Sequence, residues 1–177
     1  MKEKKRYAGD GASLLCLIFL FLVGCAEEEA LTGAEIIAPE DGTVTYLNSL
    51  GGVDRSASPL EFQVVGADGK TPSEGVKIRF FGGSETAALT DRNGNPLNQE
   101  DPLFFETTTD DRGLSPIDIF AVWAIPPCKA DSTDPTKPGP DTTVTATVTA
   151  TVGIDSKIWN LTIIVTGGTE KDGCVAV

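Results

Sequence analysis

From Thr143 to Val152 the chain reads Thr-Val-Thr-Ala-Thr-Val-Thr-Ala-Thr-Val, an unbroken alternation of hydroxyl and apolar side chains. Neighbouring side chains of a strand point to opposite faces, so this period sends Val144, Ala146, Val148, Ala150 and Val152 to one side and the threonines to the other. A helix would scatter the same residues around its circumference. Threonine and valine also suit a pleated, half-buried surface. The segment therefore demands a long strand with one dry face, and a dry face needs a second layer to cover it.

The same period recurs along the chain. Trp159, Leu161, Ile163 and Val165 lie opposite Asn160 and Thr162; Val76, Ile78 and Phe80 alternate with Lys77 and Arg79; Leu60, Phe62 and Val64 alternate with Glu61 and Gln63. Ile117, Ile119, Ala121 and Trp123 share a face, and Thr43–Leu47, Ala87–Thr90 and Leu103–Thr109 are shorter candidates. No segment carries persuasive i, i+3, i+4 apolar spacing. Turn sequences separate the runs: Ala67-Asp68-Gly69-Lys70, Asp91 to Pro96, Asp110-Asp111-Arg112-Gly113 and Gly153 to Lys157. Seven or eight short strands so punctuated predict an all-β, antiparallel sandwich over residues 43–166.

Residues 1–24 obey another logic. Lys2, Lys4, Lys5 and Arg6 precede the apolar run Leu14–Val23, the layout of a secretory signal peptide that the mature chain loses. Ten helical residues rise only about 15 Å, half of a bilayer's roughly 30 Å core, too little for a spanning anchor. The run ends in Leu22-Val23-Gly24-Cys25. In this position the tetrapeptide resembles the lipobox of bacterial lipoproteins. The resemblance implies cleavage before Cys25, which becomes the N-terminus and carries two or three acyl chains. Two chains suffice for stable anchoring. Ala26 stands where an aspartate would favour the inner membrane of a Gram-negative cell. The resemblance therefore implies the outer membrane, with the outer face of the cytoplasmic membrane as the alternative.

Charge sets further limits. The whole chain has 14 basic and 26 acidic residues, net −12; without residues 1–24 the balance is 10 against 24, net −14. Phosphate backbones repel such a chain, so no nucleic-acid partner is expected. Lipid rather than charge must hold it to an anionic membrane. Residues 25–42, with Glu27-Glu28-Glu29 at their start, read as a lipidated N-terminus and flexible, solvated tether. Cys16 leaves with the signal and Cys25 takes lipid. Cys128 and Cys174 remain in an oxidising compartment, 46 positions apart, far from C-x-x-C spacing. A disulfide between them is expected; two free thiols are the other reading.

Leu60–Phe80, a strand, the Ala-Asp-Gly-Lys turn, Pro72, Gly75 and a second strand, is similar to the bacterial immunoglobulin-like repeats of invasin and intimin type. So is Thr107–Val165, with its Thr-Thr-Thr-Asp-Asp-Arg-Gly turn, a strand, the Thr/Val strand and a terminal strand. The resemblance implies an immunoglobulin-like β-sandwich. The sequence departs from those repeats in two ways. Pro126–Asp141 is a proline-rich insert where they have a short turn, read as a spacer pinned by Cys128. Only one copy is present, without a tandem stalk. Residues 167–177 complete the chain as a tail.

Chemistry is sparsely encoded. The chain has no histidine, which removes Ser-His and Cys-His nucleophile pairs, imidazole metal ligands and imidazole proton shuttles. No glycine-rich phosphate loop opens a helix, and the spacing of the carboxylates selects no opposed glycosidase pair. Asp91-x-Asn93-x-Asn95 has the oxygen spacing of a calcium loop, yet Pro96 replaces its glycine and Pro102 its bidentate glutamate. An Asn-Gly turn accounts for it. No catalytic residue, metal or cofactor is expected.

The doublets Phe80-Phe81 and Phe104-Phe105 are more informative, because strand neighbours face opposite sides and one ring of each must leave the core. With Ile78 and Phe80 inward, Phe81 points out; with Ile119 and Ala121 inward, Phe120 and Val122 point out. Outward rings are expected to be covered by the tether, the insert or the C-terminal tail; otherwise Phe81, Phe120 and Val122, rimmed by Lys77, Arg79 and Asp118, form the candidate partner patch. These readings describe a lipid-anchored envelope protein acting as a non-catalytic binding or structural module. The alternatives are an accessory subunit of an envelope assembly, a carbohydrate-binding module and a lipid-anchored hydrolase. An envelope protein or a glycan would be the partner.

Overall fold

The computed structural model describes residues 33–176. In chain order the strands are β1 (Glu35–Ile37), β2 (Gly42–Tyr46), β3 (Leu50–Arg55), β4 (Gln63–Val65), β5 (Lys77–Gly82), β6 (Thr86–Thr90), β7 (Phe104–Thr108), β8 (Phe120–Pro127), β9 (Lys129–Ala130), β10 (Thr142–Val152), β11 (Asp155–Val165) and β12 (Val175–Ala176). One 3-10 turn at Glu170–Asp172 is the sole helical element among the described residues. The described residues are all-β and sandwich-like.

The alternating segment forms β10, which pairs with β11 in an antiparallel ladder from Thr142↔Val165 to Val152↔Asp155. Around this hairpin a five-stranded sheet runs β2-β11-β10-β5-β7, and a three-stranded sheet, β3-β8-β6, covers it. Ile78, Phe80, Leu89, Ala121, Val148 and Ile163 from both sheets make one core, joined by Phe62 just before β4 and Ile119 just before β8. Phe62 and Phe80 meet edge to face at 5.7 Å. Trp123 and Trp159 are 4% and 5% exposed, in the inward phase expected of them. Each indole N–H is satisfied, by Tyr46 Oη at 3.1 Å and by the Glu40 carbonyl at 3.0 Å.

The N-terminal boundary differs from the sequence expectation. β1 pairs with β4 and buries Ile36, so the domain begins inside the stretch read as a tether. The main sheet is mixed rather than antiparallel, because β2 runs parallel to β11. The chain enters beside Asp155, whose carboxylate accepts the Ile36 N–H. Ile117 is 44% exposed because regular pairing of β8 begins only at Phe120. β3 is an edge strand with all six residues exposed. Two of its amides are satisfied locally, Gly51 N–H by Ser49 Oγ and Arg55 N–H by the Asp54 carboxylate, which blunts the edge against strand addition.

The segments read as spacer and tail are folded together. Cys128 and Cys174 form a disulfide, and β9 pairs in parallel with β12 beside it. Asp131 turns the chain by accepting the amides of Thr133 and Asp134, and Ala130 bridges to Pro138. Gly139 donates to the Lys129 carbonyl at 3.1 Å. A methyl group on Gly167 would lie 1.8 Å from the Gly139 carbonyl oxygen, so only glycine allows the two loops to cross. Residues 126–141 and 167–176 thus make one disulfide-braced cap.

Candidate functional site

The lipobox Leu22–Cys25 and Glu27-Glu28-Glu29 lie outside the described residues. Cys128 and Cys174 come together in the disulfide, whereas the residues of the candidate patch do not converge. Phe81 belongs to β5 of the five-stranded sheet; Phe120 and Val122 belong to β8 of the three-stranded sheet.

Phe120 corrects the expected patch. It alternates out of phase with the core residues Ile119 and Ala121, yet it is only 5% exposed. The Arg55 guanidinium lies 5.2 Å from its ring centroid, and Arg55 is itself held by the Arg92 carbonyl at 2.9 Å. Arg92 in turn pairs with Asp118 at 2.7 Å. A cation from β3, held in place by the loop after β6, roofs the ring, and Val122 is half-buried. Period-two reasoning gives a side chain's direction; it does not see what crosses over that side chain from elsewhere.

Phe81 behaves as expected. Its ring is 41% exposed and sits 5.1 Å from Phe104 across the β5–β7 pair, while Phe80 and Phe105 stack on the inner side. Register extends the row: Phe81 lies opposite Thr149, and Thr149 opposite Ile158, which is 54% exposed. Phe104, Phe81, Thr149 and Ile158 thus cross four neighbouring strands on one solvent face. Arg79 and Lys77 pair with Glu106 at 2.6 and 3.4 Å along its rim. The Arg79 hydrogen bond, aided by Lys77, holds the Glu106 carboxyl below its ordinary range. The doublets pointed to both rings; Ile158 was missed, although its place beside inward Trp159 carried the signal.

A shallow hollow of about 60 Å³, lined by Leu60, Phe62, Arg112, Ile117 and Asp118 among others, is a fraction of the several hundred Å³ that small-molecule sites occupy. In the calcium-like loop, Asp91 spends its oxygens on its own turn, accepting from the amides of Asn93 and Asn95 and from the Asn95 side chain at 2.8–3.0 Å. These bonds, the Asn95 side chain foremost, hold its carboxyl below the usual range. Among the described residues no three His, Cys, Asp or Glu side chains are grouped to hold a metal ion.

No protein-family model matches the chain, and no curated protein sequence matches it.

Proposed function

We propose that the protein is a lipid-anchored bacterial envelope protein whose domain, an immunoglobulin-like sandwich, is a non-catalytic binding or structural module. The observation that carries the reading is Leu22-Val23-Gly24-Cys25 placed directly behind a basic start and an apolar run. The Cys128–Cys174 bond accords with export, since such bonds persist in oxidising compartments. Two facing sheets with the tryptophans between them accord with the immunoglobulin-like reading. The Phe104–Phe81–Thr149–Ile158 row, apolar at its centre and ion-paired at its rim, favours docking to an envelope protein or a glycan as the module's work.

Replacing Cys25 with Ser should move the protein from the membrane to the soluble fraction. Mass spectrometry of the membrane form should find an acylated Cys25 at its N-terminus. Retention of the variant in carbonate-washed membranes overturns the anchor.

A further inference from the structure

Ile154 stands at the tip of the β10–β11 hairpin at 107% relative exposure, the highest of any large apolar residue described. Gly153 supplies the positive φ, 56°, that the two-residue turn requires. The position after it makes no demand for an apolar side chain and commonly holds Asn, Asp or Ser. Neither the turn nor the core uses the isoleucine.

A single exposed isoleucine is ordinary. Its location is the second observation. Ile36 N–H donates to Asp155, next to Ile154 in the chain, at 2.9 Å, and Gly33 lies against Ala67 of the neighbouring turn. The start of the domain and the hairpin tip therefore share one pole. The disulfide cap sits at the other, beyond Thr142 and Val165, eleven residues or about 35 Å away along β10. Gly33 follows Cys25 by eight positions, a length of chain that spans at most about 27 Å. A leash that short forbids the inverted pose, in which the cap would meet the bilayer holding an acylated Cys25 and the Ile154 pole would stand about 35 Å above it.

We propose that Ile154 inserts into the lipid interface, a second membrane contact that orients the domain with its disulfide cap outward. The inference rests on the acylation of Cys25 and adds the lipid surface as the occupant of the hairpin tip.

The test uses the full lipidated chain carrying Ile154→Cys. Cys128 and Cys174 are bonded and Cys25 is acylated, so the new thiol alone takes an environment-sensitive NBD label. Because the mature chain is strongly acidic, the vesicles are zwitterionic phosphatidylcholine. The expected result is a blue-shifted emission, quenched by nitroxide-bearing lipid several-fold more than the same label at Leu47→Cys, which is 79% exposed near the opposite pole. Water-like emission at position 154 in protein shown by mass spectrometry to be acylated overturns the tip contact and leaves the anchor standing. Stronger lipid quenching at position 47 than at 154 overturns the orientation. An unacylated Cys25 overturns the anchor itself, and the inference with it.

Discussion

The indole N–H of Trp123 donates to the phenol oxygen of Tyr46 at 3.1 Å, and that phenol donates to the Asp54 carboxylate at 2.6 Å. Trp123 lies on β8, Asp54 on β3 and Tyr46 on β2, so one phenol ties the three-stranded sheet to the edge of the five-stranded one. Burial first, and then the proton given to Asp54, push Tyr46 up to about 12. The folded chain therefore keeps a proton that the unfolded chain releases near pH 10. The stabilisation is complete below pH 10 and is lost as pH rises from there through about 12. Tyr46 and Tyr7 are the two tyrosines, and Tyr7 lies in the signal segment, so a phenolate absorbance titration of the mature chain reads Tyr46 alone. The midpoint should stand near 12 in folded protein and near 10 in urea. Tyr46→Phe should shrink the alkaline loss of stability and cost about 1–3 kcal/mol at neutral pH, because the Trp123 N–H is left without a partner.

Both tryptophans carry a larger load. Trp123→Ala and Trp159→Ala should each cost roughly 3–5 kcal/mol in urea unfolding, from lost apolar burial and an unfilled cavity. Losses under about 1 kcal/mol at both sites would contradict their place between the sheets.

The disulfide closes a loop of 46 positions, worth about 4 kcal/mol in the chain-entropy description. Cys128→Ser together with Cys174→Ser should lower unfolding free energy by about that amount. Non-reducing peptide mapping of envelope-purified protein should recover the two peptides joined. Free, alkylatable thiols at both positions would contradict the bond.

The legible parts of this fold are those in which one strand states its own burial. β10 and β11 are written out residue by residue, because each has one face dry and the other wet. β3 is silent: Leu-Gly-Gly-Val-Asp-Arg buries nothing, and two glycines at φ 92° and 146° remove the side chains that would mark a period. β1 is three residues long with a single buried side chain, Ile36, too short to show alternation. The candidate surface divides along the same line. Phe81 was readable from its own strand, whereas the burial of Phe120 depends on Arg55 arriving from β3. The row from Phe104 to Ile158 depends on a register that no single strand encodes.

Acid should loosen the turns before the sheets. Asp68 accepts the Thr71 hydroxyl and the amides of Lys70 and Thr71, which hold it down to about 2. Asp110, Asp131 and Asp134 are held low in the same way, chiefly by Arg112, Thr133 and Thr136 respectively. Depressed carboxyls contribute stability above the unfolded value near 4 and lose it as pH falls through the folded one. Urea midpoints should therefore be level above about pH 5 and decline from pH 4 toward 2. Asp68→Asn should make that decline shallower; an unchanged slope would mean that the turn charge is not linked to folding.

The two outward phenylalanines should separate cleanly. Phe120→Ala removes a ring that is 5% exposed and strands Arg55 above a hole, so it should cost about 3 kcal/mol. Phe81→Ala loses a half-exposed contact with Phe104, and should cost no more than about 1.5 kcal/mol. If the row across β7, β5, β10 and β11 is a docking face, Phe81→Ala combined with Ile158→Ser should leave the fold intact while reducing crosslinked partner recovered from intact envelopes. Hot-spot truncations cost about 2 kcal/mol or more of binding, a thirtyfold loss that such a capture would register. Undiminished capture by the double variant would remove this face from the module's work and leave the disulfide cap as the surface to test next.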